Sequence, residues 1–334
     1  MGRLLVTGAM GHVGLEVVRQ AAAAGRPVLA QYRTAFRPAE AEAIAGDVVW
    51  AKLDLADGFG LAALAAQHPV EACIHAAAVP NDSLARPAPH AAVLANVGAT
   101  ANLLELARRL GWRRFVTVST GSVFQTAEDV TRPILEDAPP QPTNFYSTTK
   151  RCAELLTTAY RAEGGVPAAS VRISWVYGPP LVPRGLDGPR GPIPHFVRDA
   201  VAGIPVRHDS GADFAASFTH VSDVAAGLLA AIAAPALRHP IYHLGWGRNL
   251  TTREVAEAVR AAVPGAVIEV GPGTAPWTDH TRMRGPLAGE RLREDTGFEP
   301  RMTLAEGIAS FAAWVRAHPE TWPASPARGR AAVP

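Results

Sequence analysis

Apolar and polar positions fall into short blocks along the first half of the chain, strand-like runs alternating with stretches of helical periodicity. Arg3 to Thr7 (Arg-Leu-Leu-Val-Thr) predicts a first strand, and Leu15 to Ala24 a helix after it. Pro27 to Arg33 predicts a second strand, Asp47 to Leu53 a third that ends at Asp54, and Val70 to His75 a fourth that leads into Ala76-Ala77-Ala78. A helical stretch from Ala91 to Leu110, a strand from Arg114 to Ser119, a helix from Tyr146 to Glu163 and a strand from Ala168 to Ile173 complete the series. Alternating β and α units at this spacing argue for an α/β fold with a doubly wound parallel sheet, here over residues 1–176.

The pattern changes after that. Tyr177 to Pro194 is crowded with proline and glycine and predicts a long loop of the kind that often borders a site. Shorter elements follow: helices near His195–Ala202, Ser222–Ala233, Thr251–Val263 and Leu304–Ala317, and strands near Ile241–Leu244 and Val267–Val270. Residues 177–317 are therefore expected to form mainly a smaller substrate-binding lobe, with some segments returning to the first domain. The proline-rich tail from His318 to Pro334 is expected to be disordered. No internal repeat is visible.

Between the first strand and the first helix stands Gly8-Ala9-Met10-Gly11-His12-Val13-Gly14. Strand, glycine turn and helix form the Rossmann dinucleotide-binding context. Gly8 permits a tight turn, Gly11 lets backbone approach a pyrophosphate, and Gly14 lets helix pack on strand. The helix start then aims free N–H groups and a positive dipole end at the phosphates. The glycines are spaced three and three, not two and three as in the common fingerprint. A second signal is compositional. Among 32 lysines and arginines only Lys52 and Lys150 are lysines, and Lys150 stands four residues after Tyr146. Spacing i to i+4 puts both side chains on one helix face. A neighbouring ammonium favours the phenolate, and ionising a free tyrosine at neutral pH takes roughly 4 kcal/mol of such stabilisation.

Bulk properties remove several classes. A net charge of +2 does not advertise nucleic acid or membrane as a partner. Cys73 and Cys152 are far apart, so neither a disulfide scaffold nor a zinc cluster is expected, which suits a reducing cytoplasm. No leader is expected ahead of the first strand, and no apolar run is long enough to span a bilayer. The eleven histidines are scattered without metal-ligand spacing, so no metal is expected. His220 reads as a packed structural histidine, and His195, after the proline-rich loop, as a surface residue with a place facing substrate as the alternative. His12 is expected to matter through its backbone N–H. No Gly-x-Ser-x-Gly elbow is present. Trp175 and Phe196 read first as core, with an apolar pocket wall as the alternative.

Taken in order, these motifs resemble the extended short-chain dehydrogenase/reductase family, also called the NAD-dependent epimerase/dehydratase family. The resemblance covers nearly all of residues 1–317. It rests on Thr7 to Gly14, Asp54-Leu55, His75 to Ala78, Asn96, Val118 to Phe124, Tyr146 with Lys150, Val176 to Pro179, Phe218 to Ala225 and Thr296 to Pro300. It implies that Gly8, Gly11, His12, Val13 and Gly14 bind the cofactor phosphates and that Asp54 and Leu55 contact adenine. Ala76, Ala77 and Ala78 would line the cofactor cleft, and Asn96 would support the active-site helix. Thr120 takes the position of the hydroxyl that holds the substrate oxygen, with Ser119 and Ser122 as near rivals. Tyr146 would be the acid/base, and Lys150 would hold the nicotinamide ribose. Ser122, Ser174 and Trp175 are the expected substrate contacts, and a homodimer pairing the Ala91–Leu110 and Tyr146–Glu163 helices is implied.

Strand two ends Gln31-Tyr32-Arg33 with no acid until Glu40. An acid there would take a ribose 2′-hydroxyl, whereas Arg33, helped by Arg37, suits a 2′-phosphate. NADP(H) is therefore expected over NAD(H). Two departures narrow the reaction. The Asp-Glu pair usual in nucleotide-sugar dehydratases is replaced by Gly121-Ser122, which argues against water elimination. Ala216, Ser217 and Ser174 replace residues that usually contact a nucleotide diphosphate, although Arg184, Arg190, Arg207 or Arg284 could substitute. The expected activity is reduction of a ketone or oxidation of a secondary alcohol on a sugar-like or natural-product small molecule. A sugar or nucleotide-sugar epimerase using the same residues is the alternative, and a cofactor-sensing regulator stands third.

Overall fold

A computed structural model describes residues 2–125, 129–180, 191–278 and 281–319. Arg184, Arg190, most of the loop expected at Tyr177–Pro194 and the tail from residue 320 lie outside the described residues. The sheet strands are β1 (Arg3–Thr7), β2 (Val28–Tyr32), β3 (Val48–Lys52), β4 (Val70–His75), β5 (Arg114–Thr120) and β6 (Ala168–Ile173). Shorter strands follow: β7 (Trp175–Tyr177), β8 (Val206–His208), β9 (Ala215–Ala216), β10 (Phe218–His220), β11 (Ile241–Leu244), β12 (Leu250–Thr251) and β13 (Ile268–Val270).

The helices in chain order are α1 (His12–Ala23), α2 (Pro38–Glu42), α3 (Gly58–Gln67), α4 (Asp82–Ala85), α5 (Pro89–Val93) and α6 (Ala99–Leu110). Then come α7 (Phe145–Ala162), α8 (Pro192–Val201), α9 (Val221–Ala233), α10 (Thr252–Ala262), α11 (Glu290–Thr296) and α12 (Leu304–Ala317).

Seven strands pair in the order β11-β6-β5-β4-β1-β2-β3, and every pairing is parallel. This is the doubly wound Rossmann order extended by one strand. A parallel sheet covered on both faces needs strands that are apolar throughout. Accordingly Leu4, Leu5 and Val6 of β1 and Cys73 and Ile74 of β4 are fully or almost fully buried. One face packs on α1 and α9 through Val17, Val18, Val224 and Leu228. The other packs on α6 through Leu103 and Leu104. Strand order reverses between β1 and β4, and in open α/β sheets ligand crevices form at that point, beyond the carboxyl ends of the strands.

Residues after β6 build a second core from Tyr177, Phe196, Phe214, Val255, Val259, Ile308 and Phe311. It joins α8, α10 and α12, with β8 paired to β13 and β9 to β12. The chain returns to the first core through α9, β11 and α11, which contribute Leu228, Leu244 and Leu292. The stretch expected as one helix from Ala91 to Leu110 is broken by a π-helical turn at Leu94–Gly98, between α5 and α6.

Candidate active site

The first structural requirement is at the turn after β1. Gly8 has φ +64°, and a Cβ on it would lie 2.8 Å from the Ala77 backbone. A Cβ on Gly14 would lie 2.2 Å from the Gly8 carbonyl oxygen. The turn, the start of α1 and the segment after β4 therefore close on one another with backbone alone. The Gly8 amide donates to Gln31 Oε1 at 3.0 Å, so the β2 end clamps this turn through a side chain that the sequence did not single out. A polar relay backs it. The Ala77 amide donates to Thr7 Oγ1, which contacts His75 Nδ1 at 2.7 Å; His75 Nε2 contacts Thr100 Oγ1, which donates to the Asn96 carbonyl. Burial, aided by the Lys150 charge, pushes His75 down to about 3, so the ring is a neutral structural link.

A cleft of ≈ 550 Å³ opens over this turn. It is lined by Gly8, Gly11, His12, Val13, Gly14, Arg33, Asp54, Leu55, Ala76, Ala77 and Ala78 at one end. Thr120, Ser122, Tyr146, Lys150, Ser174 and Trp175 line it toward the lobe. Asn96 is the expected site residue that does not face it. Its amide is spent inside the protein: Oδ1 accepts from the Val79 amide, and Nδ2 donates to the Val79 carbonyl and to Thr149 Oγ1.

Tyr146 stands in the first turn of α7. Asn144 and Ser147 start that helix with a reciprocal capping box, and Asn144 also lines the cleft. Lys150 is one turn on and 4% exposed. Burial pushes its ammonium down to about 8, against the opposing pull of Glu154. Burial also works to raise Glu154, but Arg172, Ser119 and Arg151 outweigh it and hold the carboxyl below its ordinary value. Arg172 reaches both Glu154 oxygens, at 2.7 and 2.9 Å, and Ser119 Oγ donates to Oε1 at 2.6 Å. Of the three hydroxyls that competed for the substrate oxygen, that of Ser119 is spent on Glu154, although the residue also lines the cleft. Thr120 and Ser122 remain on the cleft, with Thr120 Oγ1 accepting from the Ser122 amide.

Several expectations change, while Phe196 and His220 pack as expected. The His12 ring is not idle, since its Nε2 donates to the Gly178 carbonyl at 2.7 Å and ties α1 to the segment after β7. Arg37 is already engaged, with Glu40 at 3.5 Å and the Met10 carbonyl at 3.3 Å. Arg33 is exposed on the cleft rim. Trp175 lines the cleft while also stacking edge-on with Phe214 and Phe218. Phe196 is fully buried core. His220 is buried and caps α9, and His195 is half-buried on α8 outside the cleft. Arg207 pairs with Glu269 away from the cleft.

Arg284 joins the site from far along the chain, in a segment without recognisable pattern. It lines the cleft and is 8% exposed. Burial pushes its guanidinium down to about 10, with the Tyr146 phenol pulling the other way. Among the described residues no group of three or more His, Cys, Asp or Glu is placed to hold a metal. No described helix is long and apolar enough to cross a membrane.

A doubly wound sheet, a glycine turn at its switch point and a Tyr-Lys pair in the same cleft define a dinucleotide-binding fold of the oxidoreductase type. Residues 4–245 match the NAD dependent epimerase/dehydratase family, and the chain belongs to it. It is 28% identical to the dTDP-glucose 4,6-dehydratase of Streptomyces griseus, covering 96% of this chain and 95% of that one. It is 29% identical to the UDP-glucose 4-epimerase of Streptomyces lividans, covering 96% and 98%. The structure of Thermus thermophilus UDP-glucose 4-epimerase in complex with NAD superposes with TM-score 0.80 at 26% identity, covering 94% of this chain and 99% of that one.

Proposed function

We propose that this chain is an NAD(P)-dependent oxidoreductase that reduces a ketone, or oxidises a secondary alcohol, on a sugar-like or natural-product molecule. One observation carries the reading: Thr120, Tyr146 and the buried Lys150 share a single cleft with the glycine turn. A cofactor at the glycine turn is supported by the turn's construction, since a Cβ on Gly8 or Gly14 would strike the Ala77 backbone or the Gly8 carbonyl oxygen and open the turn that would face the phosphates. The nicotinamide, when bound, supplies or accepts the hydride. Tyr146 delivers or takes the proton at the reacting oxygen, Thr120 orients that oxygen, and Lys150 holds the ribose while favouring the ionised phenol. Arg33 on the rim, with no acid beside it at the end of β2, supports NADP(H) over NAD(H).

An epimerase is the second reading, favoured by the 29% identical Streptomyces lividans relative. It uses the same residues and returns the hydride to the same carbon. One assay separates the two. Reduced-nicotinamide absorbance is followed with NADPH and with NADH over a panel of ketones and nucleotide sugars. A reductase consumes cofactor stoichiometrically and, with Arg33 on the 2′-phosphate, prefers NADPH. An epimerase turns over with cofactor unchanged. Tyr146→Phe is expected to lower turnover about a hundredfold or more while cofactor still binds. Near-normal turnover in that variant removes Tyr146 from the mechanism. We further propose a homodimer formed through α6 and α7.

A further inference from the structure

Arg284 holds a charge that the described residues leave unanswered. Its side chain is more than nine-tenths buried, and among the described residues its Nη1 has no hydrogen-bond partner. The backbone under it is fixed. Asn249 Nδ2 donates to the Arg284 carbonyl at 2.7 Å, and Pro286 and Ala288 bond both edges of Ile134, at 2.7 and 3.1 Å. Gly285 next to it is closely packed, since a Cβ there would lie 2.0 Å from the Arg132 carbonyl oxygen.

The described carboxylates that line the same cleft are committed elsewhere. Asp54 accepts from the Ala56 amide, and Asp82 pairs with Arg86 at 2.8 Å. Among the described residues, no carboxylate bears on the Arg284 charge. The guanidinium also sits at the reacting end of the cleft, not at the adenine end. A Cβ on Gly121, next to Thr120, would lie 3.6 Å from Arg284 Nε. A buried cation without a partner is costly, so a ligand that brings the opposite charge restores the balance.

We propose that Arg284 binds a carboxylate on the substrate, placed within a bond or two of the carbon at which Tyr146 acts. The planar fork of one guanidinium matches one carboxylate bidentately. Thr120 and Ser122 add neutral hydroxyls beside it, so a singly charged anion fits better than a phosphate. The substrate class is thus a sugar acid or keto/hydroxy acid. The inference rests on the hydride-transfer reading only for which end of the cleft reacts.

The test uses the full chain loaded with NADP+. Two pairs of probes differ at one carbon: UDP-glucuronic acid against UDP-glucose, carboxylate against hydroxymethyl, and D-glucuronate against D-glucuronamide, a near-isosteric pair differing in charge. Binding is read by tryptophan fluorescence, with Trp175 as reporter, and hydride transfer separately by nicotinamide absorbance. In at least one pair the acid should bind about tenfold tighter or more, the low end for a hydrogen bond to a charged group. In Arg284→Gln that preference should fall to near unity. The unliganded variant should melt no lower than wild type, since it sheds an unpaired buried charge. The proposal is overturned if neither acid binds, if wild type binds acid and neutral partner alike, or if the variant keeps the preference. Acid preference without net change in nicotinamide absorbance would leave the anion site standing and count against net oxidation of these acids; net hydride transfer without acid preference would overturn the anion site and leave the redox reading standing. The wild-type comparison decides even where the variant does not fold.

Discussion

Lys150 shows how a single residue can be held against its own solvation. An ammonium buried to 4% exposure loses water, and its affinity for a proton falls to about 8 from the ordinary 10.5. The folded protein therefore binds fewer protons than the unfolded chain between those two values. Stability contributed at this site must rise as pH climbs through that window, and the full cost of the buried charge is present below it. Lys150→Met removes the titration. The stability of wild type relative to this variant, measured by urea unfolding without cofactor, is expected to improve between pH 7.5 and pH 10, by on the order of 2–3 kcal/mol. A flat difference would mean that Lys150 is neutral or solvated in the free protein. Chains tolerate such a cost at sites where charge is used, and Arg284 repeats it in the same cleft, within reach of the Tyr146 phenol.

At the level of elements, the π turn at Leu94–Gly98 matters most. An extra residue in the helix turns Asn96 inward, where it bridges the exit of β4 at Val79 and the N-terminal part of α7 at Thr149. π turns of this kind cluster at functional sites. Asn96→Ala leaves the Val79 amide and carbonyl without these partners and is expected to lower stability by about 2–4 kcal/mol in urea unfolding. A loss below about 0.5 kcal/mol, the range of surface substitutions, would show that the bridge is replaced by water. The seven strands were legible because each is a short apolar run bounded by turn residues. The Gly8, Gly11, Gly14 turn and the Tyr146-Lys150 pair were legible because they are local in sequence. The π turn was not, because one inserted residue scarcely disturbs an apolar stripe. The parallel pairing of β7 with β10, from Trp175–Phe218 to Tyr177–His220, escaped because three-residue strands carry too little alternation to detect. Gln31 read as a polar strand end, and Arg284 stands in a segment with neither periodicity nor motif, so only folding brings it beside Tyr146.

For the whole molecule, the remaining question is what covers the outer face of α6 and α7. The two helices pack side by side on the sheet. Their buried sides carry Leu103, Leu104, Ala107, Ala153 and Thr157. The outer side leaves Leu155 53% exposed, and Leu94, in the π turn before α6, is exposed as well. Large aliphatic side chains on adjoining helices, rimmed by Glu105 with Arg108 and Arg109, suit a two-fold contact in which the same patch meets itself. Such a contact would brace the helix that holds Tyr146 and Lys150. Light scattering of the wild type is expected to give the mass of a dimer, and its melting temperature is expected to rise with protein concentration. Leu155→Glu places two like charges across the seam and is expected to yield a folded monomer with a concentration-independent melt. A monomeric wild type rejects the pairing. A dimeric Leu155→Glu moves it to another face, and the catalytic helix would then be held by its own chain alone, through the Asn144 capping box, the Thr149–Asn96 bond and the Glu154–Arg172 pair.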